Sequence, residues 1–328
     1  MRFGKKRKSR KIYDSVLELV GNTPMVRLNR IAAGVDSEIL VKLEYMNPSG
    51  SLKDRIAVEM IEKAEKAGRI KPGDTIIESS TGNTGFALST VGRLKGYNVT
   101  IYETMPGKAG AEKQQMMKNV GAEVRLMVPD DIEHLKERSI AGSEVELPGR
   151  ELCLEDERAD PHVWWARQFS NENNVKSHSI TAQEILDQTG GHIDVFIQSI
   201  GTGGSLLGIG EVLKKKCPGV RVIGIQPASS KELWHPGMDF PVTETKGGIV
   251  SQLLKSGAVD ELVRTSDVEA REMTHRLWRE EGLYCGVSSG ANVHFALEEA
   301  KKSKRKLKIV TLLNDHMNRY LTEERYVT

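Results

Sequence analysis

Short apolar runs alternate along this chain with longer stretches in which apolar residues recur every three or four positions. The runs predict buried β-strands and the periodic stretches predict amphipathic helices. Strands are predicted at 39–43, 75–77, 98–102, 123–127, 193–199, 221–225 and 307–313. Helices are predicted at 54–67, 82–94, 111–120, 205–216, 267–281 and 289–302. This alternation predicts an α/β fold with largely parallel sheets covered by helices.

One region interrupts the alternation, and the bulk composition sets limits on the rest. Residues 128–160 are polar and acid-rich with weak periodicity, so no element is predicted there. A chain of 328 residues is long enough for one large or two medium domains. No apolar run approaches the ~20 residues that a membrane span requires. The basic start of the chain has no apolar core behind it, which argues against a secretory signal.

The positive charge is concentrated at the N-terminus. Seven basic residues lie in the tail 1–11, and the remainder has 40 basic and 45 acidic residues. Since Phe3 is the tail's one aromatic residue, a solvated, disordered tail is favoured over a nucleic-acid-binding arm. Three widely spaced cysteines, Cys153, Cys217 and Cys285, favour a reducing cytoplasm over a disulfide framework. Their spacing matches no metal site.

A lysine falls at the start of a predicted helix, directly after a strand and a turn. Ser51 is predicted to be the N-cap, with Asp54 three residues later as in a capping box. There Lys53 faces the positive end of the helix dipole, which disfavours its charge by about 0.3–1 kcal/mol. A neutral amine is what Schiff-base chemistry requires. A solvated lysine whose charge Asp54 offsets explains the motif alone equally well.

Two glycine-rich turns also join a predicted strand to a predicted helix, at 78–85 and 201–205. Glycines let backbone N–H groups approach a phosphate, and the hydroxyls of Thr202 and Ser205 add donors at a helix N-terminus. The second turn is not a dinucleotide fingerprint, because Leu206 stands where the third glycine belongs. It also lacks the lysine of a P-loop. Each turn taken singly is compatible with a purely structural role.

Taken in order, these motifs resemble the cysteine synthase/cystathionine β-synthase family of fold-type II pyridoxal-phosphate enzymes. The matching segments are Gly-Asn-Thr-Pro at 21–24, Lys-Leu-Glu at 42–44, Asn-Pro at 47–48, Ser-Leu-Lys-Asp-Arg at 51–55, Thr-Gly-Asn-Thr-Gly at 81–85, Glu-Thr-Met at 103–105, Gln-Phe-Ser-Asn at 168–171, Gly-Thr-Gly-Gly at 201–204 and Gly-Val-Ser-Ser-Gly-Ala at 286–291. The resemblance implies a two-domain, tryptophan synthase β-like fold. Residues 12–45 and 169–328 would form the large cofactor-binding domain, and 46–168 the small mobile domain.

The resemblance also implies a role for each motif. Lys53 would hold pyridoxal 5'-phosphate through a Schiff base and, once released, remove the Cα proton of the substrate. The cofactor phosphate would be bound by Gly201, Thr202, Gly203, Gly204 and Ser205. Asn83 would hydrogen-bond the ring hydroxyl oxygen, and Ser288 would face the pyridine nitrogen. The substrate carboxylate would be held by Ser80, Thr81, Gly82, Thr84 and Gln168. No metal ligand is implied.

Ser288 bears on the type of reaction. A carboxylate opposite the pyridine nitrogen would keep it protonated, whereas a hydroxyl leaves it largely unprotonated and suits elimination and replacement better than transamination. A simple helix cap at Ser288 explains the same placement. The resemblance implies β-replacement on an activated L-serine (O-acetylserine, O-phosphoserine or serine) through an aminoacrylate, and favours L-cysteine made from sulfide. The alternatives are a serine/threonine dehydratase-type lyase, a cystathionine β-synthase-like condensation, and a non-catalytic binding protein.

Three departures from the family pattern leave the substrate open. Val250 replaces the second glycine of Gly-Ile-Gly, residues 314–317 replace Pro-Asp-Ser-Gly, and Ser79 stands where many members have proline. An enzyme that uses phosphoserine needs a cation near the Cβ substituent, and the candidates are Lys108, Arg167 and Arg319. The resemblance further implies a cytoplasmic homodimer with serine acetyltransferase as a partner, and no membrane or nucleic-acid partner.

Overall fold

A computed structural model of the protein describes residues 12–80, 82–103, 111–127, 147–228 and 248–321. These residues form two mainly parallel sheets with helices packed on their faces. None of the described helices is long and apolar enough to cross a membrane. The predicted disordered tail 1–11, Thr81 of the substrate loop, and Lys108 lie outside the described residues.

The two sheets divide the described strands between them. The strands are β1 (Met25–Arg27), β2 (Glu38–Leu43), β3 (Thr75–Ser79), β4 (Asn98–Glu103), β5 (Glu123–Leu126), β6 (Val163–Trp165), β7 (Val195–Ser199), β8 (Arg221–Pro227), β9 (Glu261–Thr265) and β10 (Lys308–Leu313). The larger sheet has the order β1-β2-β10-β7-β8-β9 and the smaller one β5-β4-β3-β6. Among the described strands, every pairing is parallel except that of β1 with β2. The predicted α/β fold with largely parallel sheets is therefore confirmed.

The helices connect successive strands and cover the sheets. They are α1 (Lys53–Lys66), α2 (Asn83–Leu94), α3 (Ala111–Asn119), α4 (Leu147–Ala159), α5 (Glu172–Thr189), α6 (Gly204–Lys216), α7 (Ile249–Lys255), α8 (Asp267–Arg276) and α9 (Val287–Lys302). A π-helical turn, Leu277–Glu281, continues α8 to the end of the predicted helix. The sequence patterns missed β1, β6, β9, α4, α5 and α7.

Each sheet has an apolar core on both of its faces. In the larger sheet, α8 and α9 cover one face, and α5, α6 and α7 cover the other. In the smaller sheet, α1, α2 and α3 cover one face, while α4 packs on the other. The three cysteines are buried within these cores and form no disulfide. Strands buried on both faces explain why their sequences read as continuous apolar runs.

The predicted capping box at the start of α1 is wrong. The N-cap residue is Leu52, which has no side-chain capping bond, although the Ser51 hydroxyl accepts a hydrogen bond from the N–H of Lys53 at 3.2 Å. The Asp54 carboxylate turns back to the preceding loop and accepts hydrogen bonds from the N–H and hydroxyl of Ser49. Burial raises the pKa of Asp54 to about 6, against the opposing effect of these bonds.

Buried ion pairs hold the first turn of α1 to the larger sheet. The Arg55 guanidinium binds Glu44, at 2.6 Å from Nε to Oε2, and also Glu184 of α5, at 2.8 Å. Lys42 of β2 binds Glu184 at 2.8 Å as well. Although burial opposes ionisation, Arg55 and Lys42 hold the pKa of Glu184 at about 2. The ion-pair cluster of Lys42, Glu44, Arg55 and Glu184 thus fixes the helix that carries Lys53.

Candidate active site

The turn that carries Lys53 lies against the segment that follows β10. Ser51, two residues before Lys53, pairs with Asp315 in an antiparallel bridge. The carbonyl of Asp315 accepts a hydrogen bond from the N–H of Gly286 at 3.0 Å, and Gly286 is the residue that precedes α9. The lysine turn, the end of β10 and the start of α9 therefore meet at one place.

The side chain of Asn83, the first residue of α2, reaches Asp315 in the segment after β10. Its Nδ2 donates to Oδ2 of Asp315 at 2.7 Å, and the hydroxyl of Tyr320 donates to the same oxygen at 2.6 Å. The Oδ1 atom of Asn83 is buried and accepts no hydrogen bond within the described residues. A buried polar atom without a hydrogen bond lowers the stability of the folded protein unless a ligand supplies a partner.

Three of the residues predicted to hold a substrate carboxylate follow β3 and lead into α2: Ser80, Gly82 and Thr84, here called the carboxylate loop. The Ser80 hydroxyl accepts hydrogen bonds from the N–H groups of Gly82 and Gly85, at 3.3 and 3.0 Å. The Thr84 hydroxyl donates to Oε1 of Gln168 at 2.6 Å. The structure thus brings Gln168 to the carboxylate loop across 84 positions of sequence.

A buried carboxylate that the sequence did not reveal positions Gln168. Oε2 of Glu78 accepts a hydrogen bond from the N–H of Gln168 at 2.9 Å, and Oε1 accepts one from Nε1 of Trp165 at 2.9 Å. Nε2 of Gln168 donates to the carbonyl of Ser79 at 3.0 Å. Because both its backbone and its side chain are held, Gln168 keeps one orientation beside the carboxylate loop.

The turn at residues 201–205, here called the glycine turn, begins α6. Gly203 has φ +86°, in the left-handed region, and Gly204 is the first helical residue. The Thr202 hydroxyl lies 3.4 Å from the N–H of Gly204 and accepts it. Gly201 is exposed, and a Cβ built on it would meet nothing within 4 Å. These features fit a phosphate at the N-terminus of a helix of 13 residues.

A chain of buried amides connects the glycine turn to Ser288. Nε2 of Gln198 donates to the Ser205 hydroxyl at 3.2 Å and to Oδ1 of Asn314 at 2.9 Å. Nδ2 of Asn314 donates to the Ser288 hydroxyl at 3.0 Å. Ser288 is the second residue of α9, whose N-cap is Gly286, so Ser288 does not cap the helix. Asn314, one of the departures noted in the sequence, therefore orients the Ser288 hydroxyl.

Val250, another departure, packs beside the glycine turn. It is buried in the first turn of α7, and its Cγ2 lies 3.4 Å from the position that a Cβ on Gly203 would take. The N–H of Ile249, its neighbour, donates to the carbonyl of Phe169 at 2.8 Å. Val250 therefore packs against the glycine turn on a helix whose first N–H is bonded to Phe169, the residue that follows Gln168.

The assembled donors and acceptors fit a phosphorylated pyridine cofactor. The glycine turn offers backbone N–H groups and two hydroxyls to a phosphate, while Ser288 and Asn83 present one polar group each. The buried, unpartnered Oδ1 of Asn83 is consistent with a polar ligand beside Lys53. A lysine at the start of a helix is suited to bind a carbonyl cofactor covalently.

The fold and this constellation define an α/β enzyme of the class that uses pyridoxal phosphate. A family model described as "Pyridoxal-phosphate dependent enzyme" matches residues 16–315, and the chain belongs to this family. It is therefore a pyridoxal-phosphate-dependent enzyme.

Named relatives cover almost the whole chain. A cysteine synthase from Staphylococcus aureus (strain Mu50 / ATCC 700699) is 35% identical over 322 residues, which are 97% of this chain and 98% of the relative. Cystathionine beta-synthase from Rattus norvegicus is 37% identical over 325 residues, which are 96% of this chain and 56% of the relative. The crystal structure of O-acetyl serine sulfhydrylase isoform 3 from Entamoeba histolytica has a TM-score of 0.81 at 32% identity and covers 100% of this chain and 95% of its own.

A buried histidine close to Lys53 gives the protein a predictable response to acid. His178 on α5 is fully buried, with Nδ1 3.3 Å from the Thr181 hydroxyl. Burial lowers the pKa of His178 well below 6.5, and the charges of Lys53 and Arg55 act in the same direction. Below pH about 6.5 the unfolded chain therefore binds a proton that the folded chain does not, and the free energy of unfolding falls.

We expect His178→Gln to remove this contribution, which has a slope of about 1.4 kcal/mol per pH unit below pH about 6.5. Urea unfolding of both proteins between pH 5 and 8 measures it. His192→Gln is the matched control, because the His192 side chain is 70% exposed. Equal slopes in wild type and His178→Gln would contradict the prediction.

Proposed function

We propose that the protein catalyses β-replacement on an activated L-serine, with sulfide as the nucleophile and L-cysteine as the product. The observation that carries this proposal is the meeting of the lysine turn, Asn83 and the start of α9 around Asp315. The similarity along nearly the full chain to a cysteine synthase and to an O-acetyl serine sulfhydrylase supports it.

The cofactor, when bound, supplies an electron-accepting ring that acidifies the Cα proton of an attached amino acid. Lys53 is proposed to hold the cofactor and then to take that proton with its amine. The carboxylate loop and Gln168 bind the substrate carboxylate and so fix which Cα bond faces Lys53. Proper orientation of this kind contributes a large share of enzymatic rate enhancement.

Ser288 is proposed to donate its hydroxyl proton to an unprotonated ring nitrogen. The Ser288 oxygen accepts the Nδ2 proton of Asn314, which leaves its own O–H to act as a donor. A hydroxyl donor suits a neutral nitrogen acceptor, whereas a protonated nitrogen would need an acceptor opposite it. This arrangement supports elimination and replacement at Cβ over transamination.

We also propose that residues 46–168 form a small domain that closes on 12–45 and 169–328 when a substrate carboxylate is bound. The carboxylate loop adjoins the smaller sheet, while the glycine turn and Ser288 adjoin the larger one. A substrate held by both would join the two halves. Small-angle scattering of the holoenzyme with and without O-acetyl-L-serine should show a smaller radius of gyration with substrate. Identical profiles would contradict closure.

The decisive experiment supplies the holoenzyme with O-acetyl-L-serine, O-phospho-L-serine or L-serine, each with and without sulfide. Cysteine formed only when sulfide is present supports the proposal. Pyruvate and ammonia formed without a nucleophile would favour the dehydratase-type lyase instead. With L-homocysteine in place of sulfide, cystathionine as the better product would favour the condensation. No product from any substrate would favour a binding protein.

The cellular setting belongs to the same proposal. A cytoplasmic location, a homodimer and a serine acetyltransferase partner are proposed from the family resemblance. The three cysteines without disulfides fit a reducing compartment. Sedimentation of the purified holoenzyme, alone and mixed with a serine acetyltransferase, tests the two assembly proposals. A monomeric holoenzyme that does not bind the acetyltransferase would overturn both.

A further inference from the structure

Three buried amide side chains are joined by hydrogen bonds behind the serines of the candidate site, and the sequence motifs predicted none of them as a site residue. They are Asn292 of α9, Gln198 of β7 and Asn314, which follows β10, here called the amide chain; their exposed fractions are 0%, 2% and 5%. Nδ2 of Asn292 donates to Oε1 of Gln198 at 2.9 Å, and Nε2 of Gln198 donates to Oδ1 of Asn314 at 2.9 Å. The hydrogen bonds therefore run in one direction, from Asn292 to Asn314.

The backbone fixes the direction of the amide chain. Oδ1 of Asn292 accepts a hydrogen bond from the N–H of Ser199 at 2.7 Å, and Nδ2 of Asn292 donates to the carbonyl of Leu312 at 2.9 Å. A backbone N–H can only donate and a carbonyl can only accept, so the Asn292 amide cannot turn over without losing both bonds. Because buried polar groups without partners destabilise the folded state, the orientation of Asn292 determines that of Gln198 and, through it, that of Asn314.

The remaining amide protons are donated to serine hydroxyls. Nδ2 of Asn314 donates to Ser288 and to Ser199, both at 3.0 Å. Nε2 of Gln198 donates its second proton to Ser205 of the glycine turn at 3.2 Å. A hydroxyl that accepts an amide proton keeps its own proton for another acceptor. The amide chain thus gives the Ser288 hydroxyl the polarity of a donor.

Asn314 is the member of the amide chain that contacts Ser288, and its main chain is held independently of its side chain. Its N–H donates to the Ser289 hydroxyl at 2.9 Å, and its carbonyl accepts the N–H of Leu52, the residue before Lys53, at 2.9 Å. Exchange of the side-chain amide leaves both bonds in place. The family pattern has proline at this position, and a proline has no side-chain donor with which to orient Ser288.

We propose that Asn314 is a positioning residue that holds the Ser288 hydroxyl as a donor and thereby keeps the ring nitrogen of the bound cofactor unprotonated. This proposal rests on the proposed function, in which Ser288 faces that nitrogen. An O–H that donates to the nitrogen stabilises its neutral form, whereas the N–H of a protonated nitrogen would meet a second donor. The protonation state that suits replacement at Cβ is then set by the two backbone groups that fix Asn292.

Asn314→Asp tests the proposal, because it replaces an NH2 group by an oxygen at nearly constant volume. One carboxylate oxygen can still accept from Gln198, while the other faces Ser288 and Ser199 and can only accept. Both hydroxyls then donate to the carboxylate, and these three donors favour its ionised form. The Ser288 oxygen is left with a lone pair toward the ring nitrogen. We expect that nitrogen to be unprotonated at pH 7 in the wild type and protonated in Asn314→Asp.

Nitrogen-15 NMR of the holoenzyme, reconstituted with pyridoxal phosphate labelled at the ring nitrogen, measures this difference without turnover. The wild type should give the chemical shift of a neutral pyridine, and Asn314→Asp should give the upfield shift of a pyridinium. Asn318→Asp is the matched control, because it makes the same exchange at an exposed residue of the same segment. Its spectrum should equal that of the wild type.

Two further variants separate positioning from a loss of folding and from a simple effect of charge. Asn314→Leu keeps the volume but removes both polar atoms, so the Ser288 hydroxyl is free to turn. The proton affinity of the ring nitrogen should then rise by about 2- to 10-fold, the value of one hydrogen bond. This variant gives a result even if Asn314→Asp does not retain the cofactor. In a Ser288→Ala background, Asn314→Asp should lose most of its effect on the nitrogen, since Asn314 acts through the Ser288 hydroxyl.

A protonated ring nitrogen in the wild type at pH 7 would overturn the proposal, as would a neutral one in Asn314→Asp. An equal effect of Asn314→Asp with and without the Ser288 hydroxyl would mean that the carboxylate acts through its charge and that Asn314 does not position Ser288. Unchanged proton affinity in Asn314→Leu would also contradict the proposal. If the wild type makes no cysteine but its ring nitrogen responds to Asn314 as expected, the proposed reaction fails while the role of Asn314 stands.

Discussion

Lys53→Ala is expected to lower kcat for β-replacement by about 10³-fold, because the variant loses both the covalent anchor of the cofactor and the base that takes the Cα proton. The glycine turn and Ser288 should still retain some cofactor by noncovalent contacts. Cysteine formation under steady-state conditions measures the rate. Borohydride reduction of the wild type, followed by peptide mapping, should place the label on Lys53.

The matched control for this variant is Lys63→Ala. Lys63 lies on the same helix, its side chain is 47% exposed, and its ion pair with Glu59 spans one helical turn at 3.4 Å. Removing it should leave the rate unchanged. Retention of more than about a tenth of wild-type activity in Lys53→Ala, against the 10²–10⁴-fold value of a positioned acid–base group, would show that this lysine is not the base. A borohydride label on another lysine would overturn the assignment of the anchor.

Arg55→Met is expected to lower the free energy of unfolding by about 3–5 kcal/mol, because it leaves the carboxylates of Glu44 and Glu184 buried without their guanidinium partner. The Glu44 side chain is fully buried, and that of Glu184 is only 11% exposed, so water cannot replace the lost partner. Urea unfolding at pH 7, with the slope checked for two-state behaviour, measures the change.

A surface arginine with two carboxylate partners provides the comparison for this variant. Arg221 binds Glu261 and Glu299, at 2.8 and 2.7 Å, but its side chain is 47% exposed. Arg221→Met should therefore cost no more than about 1 kcal/mol. Adding Glu44→Gln to Arg55→Met should recover part of the loss, because it removes one uncompensated charge. Equal costs for Arg55→Met and Arg221→Met would contradict the interpretation of the cluster.

The elements that the sequence predicted correctly are those whose residues bury apolar side chains. The seven predicted strands and six predicted helices agree with the structure, most within one or two residues at their ends. The helix α5 shows why some elements were not predicted from the sequence. Its buried face includes Asn174, Ser177, His178 and Thr181, so apolar periodicity is weak although the helix is 18 residues long. Strands β1 and β6 have only three residues each, which is too short for alternation to register.

The candidate site likewise contains residues that local sequence motifs predict and residues that they do not. Lys53, the carboxylate loop and the glycine turn are marked by local sequence, since glycines and hydroxyls at strand–helix turns have recognisable spacing. Asp315, Gln198 and Glu78 act through hydrogen bonds to residues that are distant in sequence, and no local pattern predicts such contacts. The prediction of Ser51 and Asp54 as a capping box failed for the same reason, because Ser51 pairs with Asp315 and Asp54 with Ser49.

The burial of the three cysteines has a chemical consequence for an enzyme proposed to handle sulfide. Cys153 and Cys285 are inaccessible and Cys217 is 5% exposed, and burial raises the pKa of each thiol. Thiolates are the species that attack disulfides and are oxidised to sulfenic acid or persulfide. Packing therefore keeps the three cysteine thiols from exchange with polysulfides and cystine.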